Sequence, residues 1–162
     1  MNKEAILAKE RQTGTKLLAL RRAYNSTLLR QEKHILTVKL TKATDSKHKY
    51  TVKVSGSTGQ HTVHFGQAGA SDFTKHEDPR RMAFFVFRHG GKRNGTDTWY
   101  KNVLKKKDED IIKEVIKIDT SSKEHWSDIT TAGFWSRWLL WSYPSLPQAK
   151  SFMEKKFKFR FI

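Results

Sequence analysis

The chain has no cysteine among its 162 residues, only three prolines, and half as many acidic as basic side chains. The missing thiols exclude disulfides, thiolate metal sites and a cysteine nucleophile. No long apolar run is present. The longest near-apolar stretch, Ile129 to Ala149, is broken by Arg137, two prolines and several hydroxyl residues, so it is a poor membrane span. Met1 is followed by Asn, Lys and Glu rather than by an apolar segment, so no secretory signal is expected. The expectation is a soluble protein made in the cytosol or its viral equivalent.

Acidic residues are scarce and cations plentiful: 32 Lys and Arg face 16 Asp and Glu, a formal charge of +16. Such an imbalance repels itself and attracts polyanions or acidic protein surfaces. The excess is uneven. Nearly all of it precedes Asp108, and residues 108–162 are close to balanced, so the two parts of the chain are expected to do different jobs. Hydrophobic residues make up 36% and aromatics 12%, enough aromatic surface to argue against wholesale disorder.

Periodicity supplies the elements. From Lys3 to about Arg30, leucines set among basic residues at roughly helical spacing predict a basic helical arm, with residues 1–33 as one segment and 34–162 as a single domain. Leu36, Val38 and Leu40 alternate with polar residues, as do Tyr50, Val52 and Val54, then Val63 and Phe65. Three half-buried strands in an antiparallel meander follow, with Lys39 and Lys53 on the wet face. Asp78-Pro79 is a helix start, and Met82 to Phe87 wrap the predicted helix Pro79–Arg88 in apolar residues, so it is expected to be buried over the sheet until Gly90-Gly91 ends it. Thr98 to about Ile118 reads as one helix within a charged insertion at about 92–123. Thr130 or Thr131 can cap a helix carrying Phe134, Trp135, Trp138, Leu139, Leu140 and Trp141. Ser145 and Gln148 have capping-box spacing for a last short helix, and the tail Phe157–Phe161 alternates like an edge strand. The fold class is α+β: a small antiparallel sheet covered by helices, with a basic N-terminal arm.

A search for reactive chemistry finds none, and neither an enzyme nor a cofactor is expected. His61 and His64 lie three apart in a strand and face opposite ways, which is wrong for one metal ion. His34, His48 and His125 have no carboxylate at helical metal spacing, and the pair His76-Glu77 lacks a second histidine. Gly66-Gln-Ala-Gly69 has neither the glycine pattern nor the lysine of a phosphate loop. Ser136 and Ser142 are not in a nucleophile elbow.

Binding features are present. Lys16, Arg21, Arg22, Arg80, Arg81, Lys92, Arg93 and Lys105-Lys106-Lys107 form recurring basic clusters able to meet phosphates or acidic faces, although no nucleic-acid reading module contains them. Phe134, Trp138 and Trp141 fall on one helical face, with Trp135 on another and Trp126 nearby. These five aromatics are either domain core or a docking anchor, since tryptophan is enriched both in cores and at binding hot spots.

The stretches Val63-His-Phe-Gly-Gln-Ala-Gly-Ala-Ser-Asp-Phe-Thr74, His76-Glu-Asp-Pro-Arg80, Arg88-His89 and His125-Trp-Ser-Asp-Ile-Thr-Thr-Ala-Gly-Phe-Trp-Ser-Arg-Trp-Leu-Leu-Trp141 resemble a family of small uncharacterised proteins of nucleocytoplasmic large DNA viruses. The resemblance spans roughly Tyr50 to Phe157. The basic arm lies outside it, and the charged insertion falls where that family runs on almost directly. It implies a viral setting and no activity: a virion component in host cytoplasm during assembly, as a minor capsid protein that meets acidic faces of other virion proteins. The alternative is a sequence-independent binder of viral DNA or RNA.

Overall fold

The computed structural model describes residues 15–16, 18–20, 22–23, 35–91 and 98–162. Contacts divide the chain into residues 1–35 and 36–162. In the first unit Thr15, Lys16, Leu18, Ala19, Leu20, Arg22 and Ala23 are helical and exposed; the rest of the expected arm lies outside the described residues.

The second unit is α+β. Its sheet begins with β1 (Thr37–Lys42), β2 (His48–Gly56) and β3 (Gly59–Gln67), an antiparallel meander in which Val38 pairs with Val54, and Val52 with both Leu40 and Val63. That register places every apolar residue of the alternation on one face, as a half-buried sheet requires. The turn between β1 and β2 is held by Asp45, which accepts from the backbone of Lys47 and His48; its hydrogen bond with the His48 ring pulls the carboxyl down to about 2. The tail contributes a fourth strand, β4 (Arg160–Phe161), giving the order β3-β2-β1-β4. It runs parallel to β1, so the sheet is mixed rather than a three-stranded antiparallel one. Local alternation marks a strand but not its direction, which is set by how the preceding helix, Leu146–Phe157, returns the chain.

Over the apolar face lie two helical elements. The first, α5 (Ala132–Trp135), continues directly into a π-helical turn, Ser136–Leu140. Thr131 caps α5, its Oγ1 accepting from the Phe134 amide at 3.3 Å. The widened turn keeps Phe134, Trp135, Trp138, Leu139 and Leu140 all buried against Val38, Val52, Val63 and Phe65. The second is α6 (Leu146–Phe157), which buries Ala149 and Met153. Ser145 is its N-cap, but its hydroxyl donates to Gln148 Oε1 at 2.9 Å instead of capping a backbone amide.

A second core stands apart from the sheet. Asp72 caps the short α1 (Phe73–His76), and Asp78 caps α2 (Pro79–Arg88), accepting from the amides of Arg80 and Arg81 at 2.8 and 3.3 Å. Here α2 packs on α4 (Asp108–Val115), and Met82, Ala83 and Val86 share a cluster with Val103, Ile111, Val115, Ile118 and Trp126. Two expectations are corrected. The Pro79 helix does not cover the sheet, and it is not buried all round: Phe84 and Phe87 are 52% and 47% exposed. The residues after Thr98 form two helices, α3 (Thr98–Val103) and α4, because the cationic run Lys105–Lys107 turns the chain before the acidic first turn of α4. The charged insertion thus supplies four of the ten buried residues of this second core. Its ends meet where Gly91 bridges Ser121.

Candidate functional site

The polar residues at the C-terminal ends of β3 and α2 are brought together by the start of α5. Gly66 makes this possible: its φ of +72° bends the end of β3, and a Cβ there would come within 2.9 Å of Leu140 Cδ1. The chain then turns through Ala70, Ser71 and Asp72. Gly133 allows a second close approach, since a Cβ on it would lie 2.9 Å from Glu124 Oε2. Between these segments opens a cleft of about 540 Å³.

Two acid–base pairs build its walls. Lys49, from β2, forms an ion pair with Asp72, and their side chains are only 9% and 3% exposed. The other Asp72 oxygen accepts from the Thr74 amide and hydroxyl at 3.0 and 2.6 Å, so the buried carboxylate is fully partnered. His89 Nδ1 donates to Glu124 Oε1, and Glu124 Oε2 accepts from Trp126 Nε1 at 3.0 Å. The imidazole is also stacked on Phe85 at 4.1 Å, and Phe85 on Trp141 at 4.2 Å with the planes 3° apart. These contacts fix the His89 ring on the wall of the cleft, with its Nε2 uncommitted among the described residues. Lys123 Nζ donates to the Arg88 carbonyl at 2.9 Å, closing the end of α2. Arg88 lines the cleft, and among the described residues its guanidinium has no hydrogen-bond or ion-pair partner.

Beneath the cleft's Trp141 wall lies Arg137, fully buried. Its Nη1 donates to the Trp141 carbonyl at 2.8 Å, and its Nη2 to those of Val115 and Ile118 at 2.9 and 3.1 Å. It sits over the Trp138 and Trp126 rings at 4.3 and 5.3 Å. Burial pushes the guanidinium down to about 9, against the pull of Asp119, so it stays charged at neutral pH. This one side chain satisfies carbonyls at the end of α4 and after the π-helical turn, tying the two cores together.

The basic residues singled out from sequence fall into separate groups. Arg80 and Lys106 come together: the Arg80 guanidinium pairs with Asp108 at 2.5 Å and reaches the Lys106 carbonyl at 3.4 Å. Arg81, Lys105 and Lys107 are exposed beside them in sequence. Lys16 and Arg22 are exposed in the first unit, whereas Arg21, Lys92 and Arg93 lie outside the described residues. Trp126, Phe134, Trp135 and Trp138 are at most 1% exposed, which makes them core and removes them from any docking surface. Trp141 alone is half-buried, between the two cores.

Sequence reasoning missed the cleft. His89 and Glu124 are 35 residues apart, and Lys49 and Asp72 are 23 apart, far beyond the helical spacings by which a sequence reveals paired groups. A signal did exist: apart from Lys49, Phe85, Lys123 and Glu124, every residue lining the cleft belongs to the stretches quoted above for the viral resemblance.

Among the described residues no group of three His, Asp or Glu side chains could hold a metal ion, and no helix is long and apolar enough to cross a membrane. Residues 38–89, from β1 through the end of α2, match a family of unknown function (DUF5754). No curated protein and no solved structure matches the chain.

Proposed function

We propose that this chain is a non-enzymatic basic assembly protein that docks on acidic protein surfaces, as a virion-associated minor capsid protein of a large DNA virus. The observation that carries this reading is on the sheet face opposite the helices. Lys39 and Lys53 are direct cross-strand partners, both exposed, and neither has an ion-pair partner among the described residues. Arg160 of β4 pairs with the neighbouring Thr37. Like charges placed opposite one another destabilise a sheet. Their repulsion is relieved when an acidic surface covers them.

The rest of that face carries Thr37, Thr41, Thr51, Ser55, Thr62 and His64, with no Phe, Tyr or Trp and only the His64 imidazole as a ring on which a base could stack. The basic clusters at Arg80, Arg81 and Lys105–Lys107 lie outside the sheet. Dispersed patches suit several acidic neighbours better than one nucleic-acid track. Sequence-independent nucleic-acid binding is the second reading, favoured by the same unneutralised lysines.

Fluorescence anisotropy with labelled polyglutamate and a labelled DNA duplex, over a range of KCl, separates the two. The Lys39→Gln/Lys53→Gln variant is expected to weaken polyglutamate binding about tenfold, two exposed ion pairs being worth at most ~1 kcal/mol each. An unchanged affinity overturns the assignment to this face. A salt slope for the duplex equivalent to about six or more phosphates moves the function to genome binding.

A further inference from the structure

The cleft has a chemistry of its own, different from that of the flat sheet face. Its acids are already matched, Asp72 by Lys49 and Thr74, and Glu124 by His89 and Trp126. Its cations keep donors to spare: Lys49, although neutralised by Asp72, commits one of its three N–H donors there, and among the described residues Arg88 commits none of its five. The uncommitted donors of the cleft therefore ask for an oxyanion, which a guanidinium fork holds with two parallel hydrogen bonds.

Arg88 also lines a second cavity, of about 360 Å³, and so do Phe85 and Trp141. This cavity is otherwise apolar apart from Arg81, and its remaining lining is Phe84 and Phe87, the two large aromatics of α2 that the fold leaves half exposed. Phe87 stacks on Tyr100 at 4.3 Å and Phe84 meets the same ring edge-on at 5.4 Å, so the exposed rings are held in place. The two cavities thus share a wall, with Arg88 at the junction and the half-exposed rings of Phe84 and Phe87 on the side of the second. Both are of small-molecule size.

We infer that the two neighbouring cavities together bind a small organic oxyanion with an aromatic body. Its phosphate or carboxylate head lies against Arg88 and Lys49, and its ring against Phe84 and Phe87. The fixed His89 ring offers its Nε2 to a polar group of the ligand. The site is independent of the Lys39–Lys53 face, so one can fail while the other stands.

The test is a backbone-amide NMR titration of the full chain with phenyl phosphate at constant ionic strength, with inorganic phosphate and benzyl alcohol as the head and the body alone. Phenyl phosphate is expected to give saturable shifts at Gln67, Ser71, Phe85, His89 and Gly133, with each half binding at least about fivefold more weakly. Arg88→Gln, an exposed substitution whose own spectrum reports folding, is expected to weaken phenyl phosphate about tenfold. Phe84→Ser is expected to weaken phenyl phosphate and leave inorganic phosphate unchanged, and Lys39→Gln/Lys53→Gln to change neither. Absence of saturable shifts at the cleft, shifts confined to the sheet face, or undiminished binding by Arg88→Gln would each overturn the inference.

Discussion

Replacing Arg137 by methionine tests whether the two cores are held together as described. Methionine keeps much of the side chain's length and apolar contact but removes every donor. The carbonyls of Trp141, Val115 and Ile118 then lose their partners in a site that water does not reach. Each buried carbonyl left unsatisfied costs about 1–3 kcal/mol. The stacking of the cation on Trp138 is also lost, worth about 2 kcal/mol when desolvated. Against these, removing a buried charge returns several kcal/mol of desolvation, so the net loss is expected near 3–5 kcal/mol, the range for breaking a buried ionic network. Urea unfolding measures it as a lower midpoint at unchanged slope. Lys113→Gln, on the exposed side of α4, serves as control and is expected to stay within about 0.5 kcal/mol. A loss below about 1 kcal/mol for Arg137→Met would refute the argument that this side chain joins the cores.

Two further outcomes follow from the geometry. Burial lowers the His76 ring below its ordinary 6.5, and the ring accepts from the Asp78 amide at 3.0 Å through Nδ1, a bond that protonation destroys. As pH falls through 6.5 the unfolded chain takes up the proton first, so stability present above 6.5 is lost below it. His76→Asn, which retains an acceptor, should flatten the fall in urea midpoint between pH 7 and pH 5, and an unchanged fall would contradict it. Gly66→Ala forces a left-handed residue and a 2.9 Å contact with Leu140, at about 2–3 kcal/mol. Calorimetry should show a melting temperature lower by about 5–10 °C, and an unaltered value would show that the end of β3 can relax.

Local signals in the sequence were strong where the physics is local. The alternation of Val38, Val52, Val63 and their neighbours marked three strands, Asp78-Pro79 marked the start of α2, and the pair Thr130-Thr131 marked that of α5, with Thr131 proving to be the cap. What escaped depends on distant partners. The apolar positions of α2 said that it is buried but not under what, and its cover turned out to be residues 103–118 rather than the sheet. Arg137 stood out only as a polar exception among tryptophans, because its three acceptors are backbone carbonyls, which no sequence pattern displays. The π-helical turn, which brings Trp138 inward beside Trp135, was equally hidden from a reading based on 3.6-residue periodicity.

The most direct test of the assembly role is mass spectrometry of purified virions before and after the DNA core is stripped from the shell. The account predicts that this chain stays with the shell proteins. Recovery with the DNA core would contradict it in favour of genome binding, and absence from the virion would contradict both.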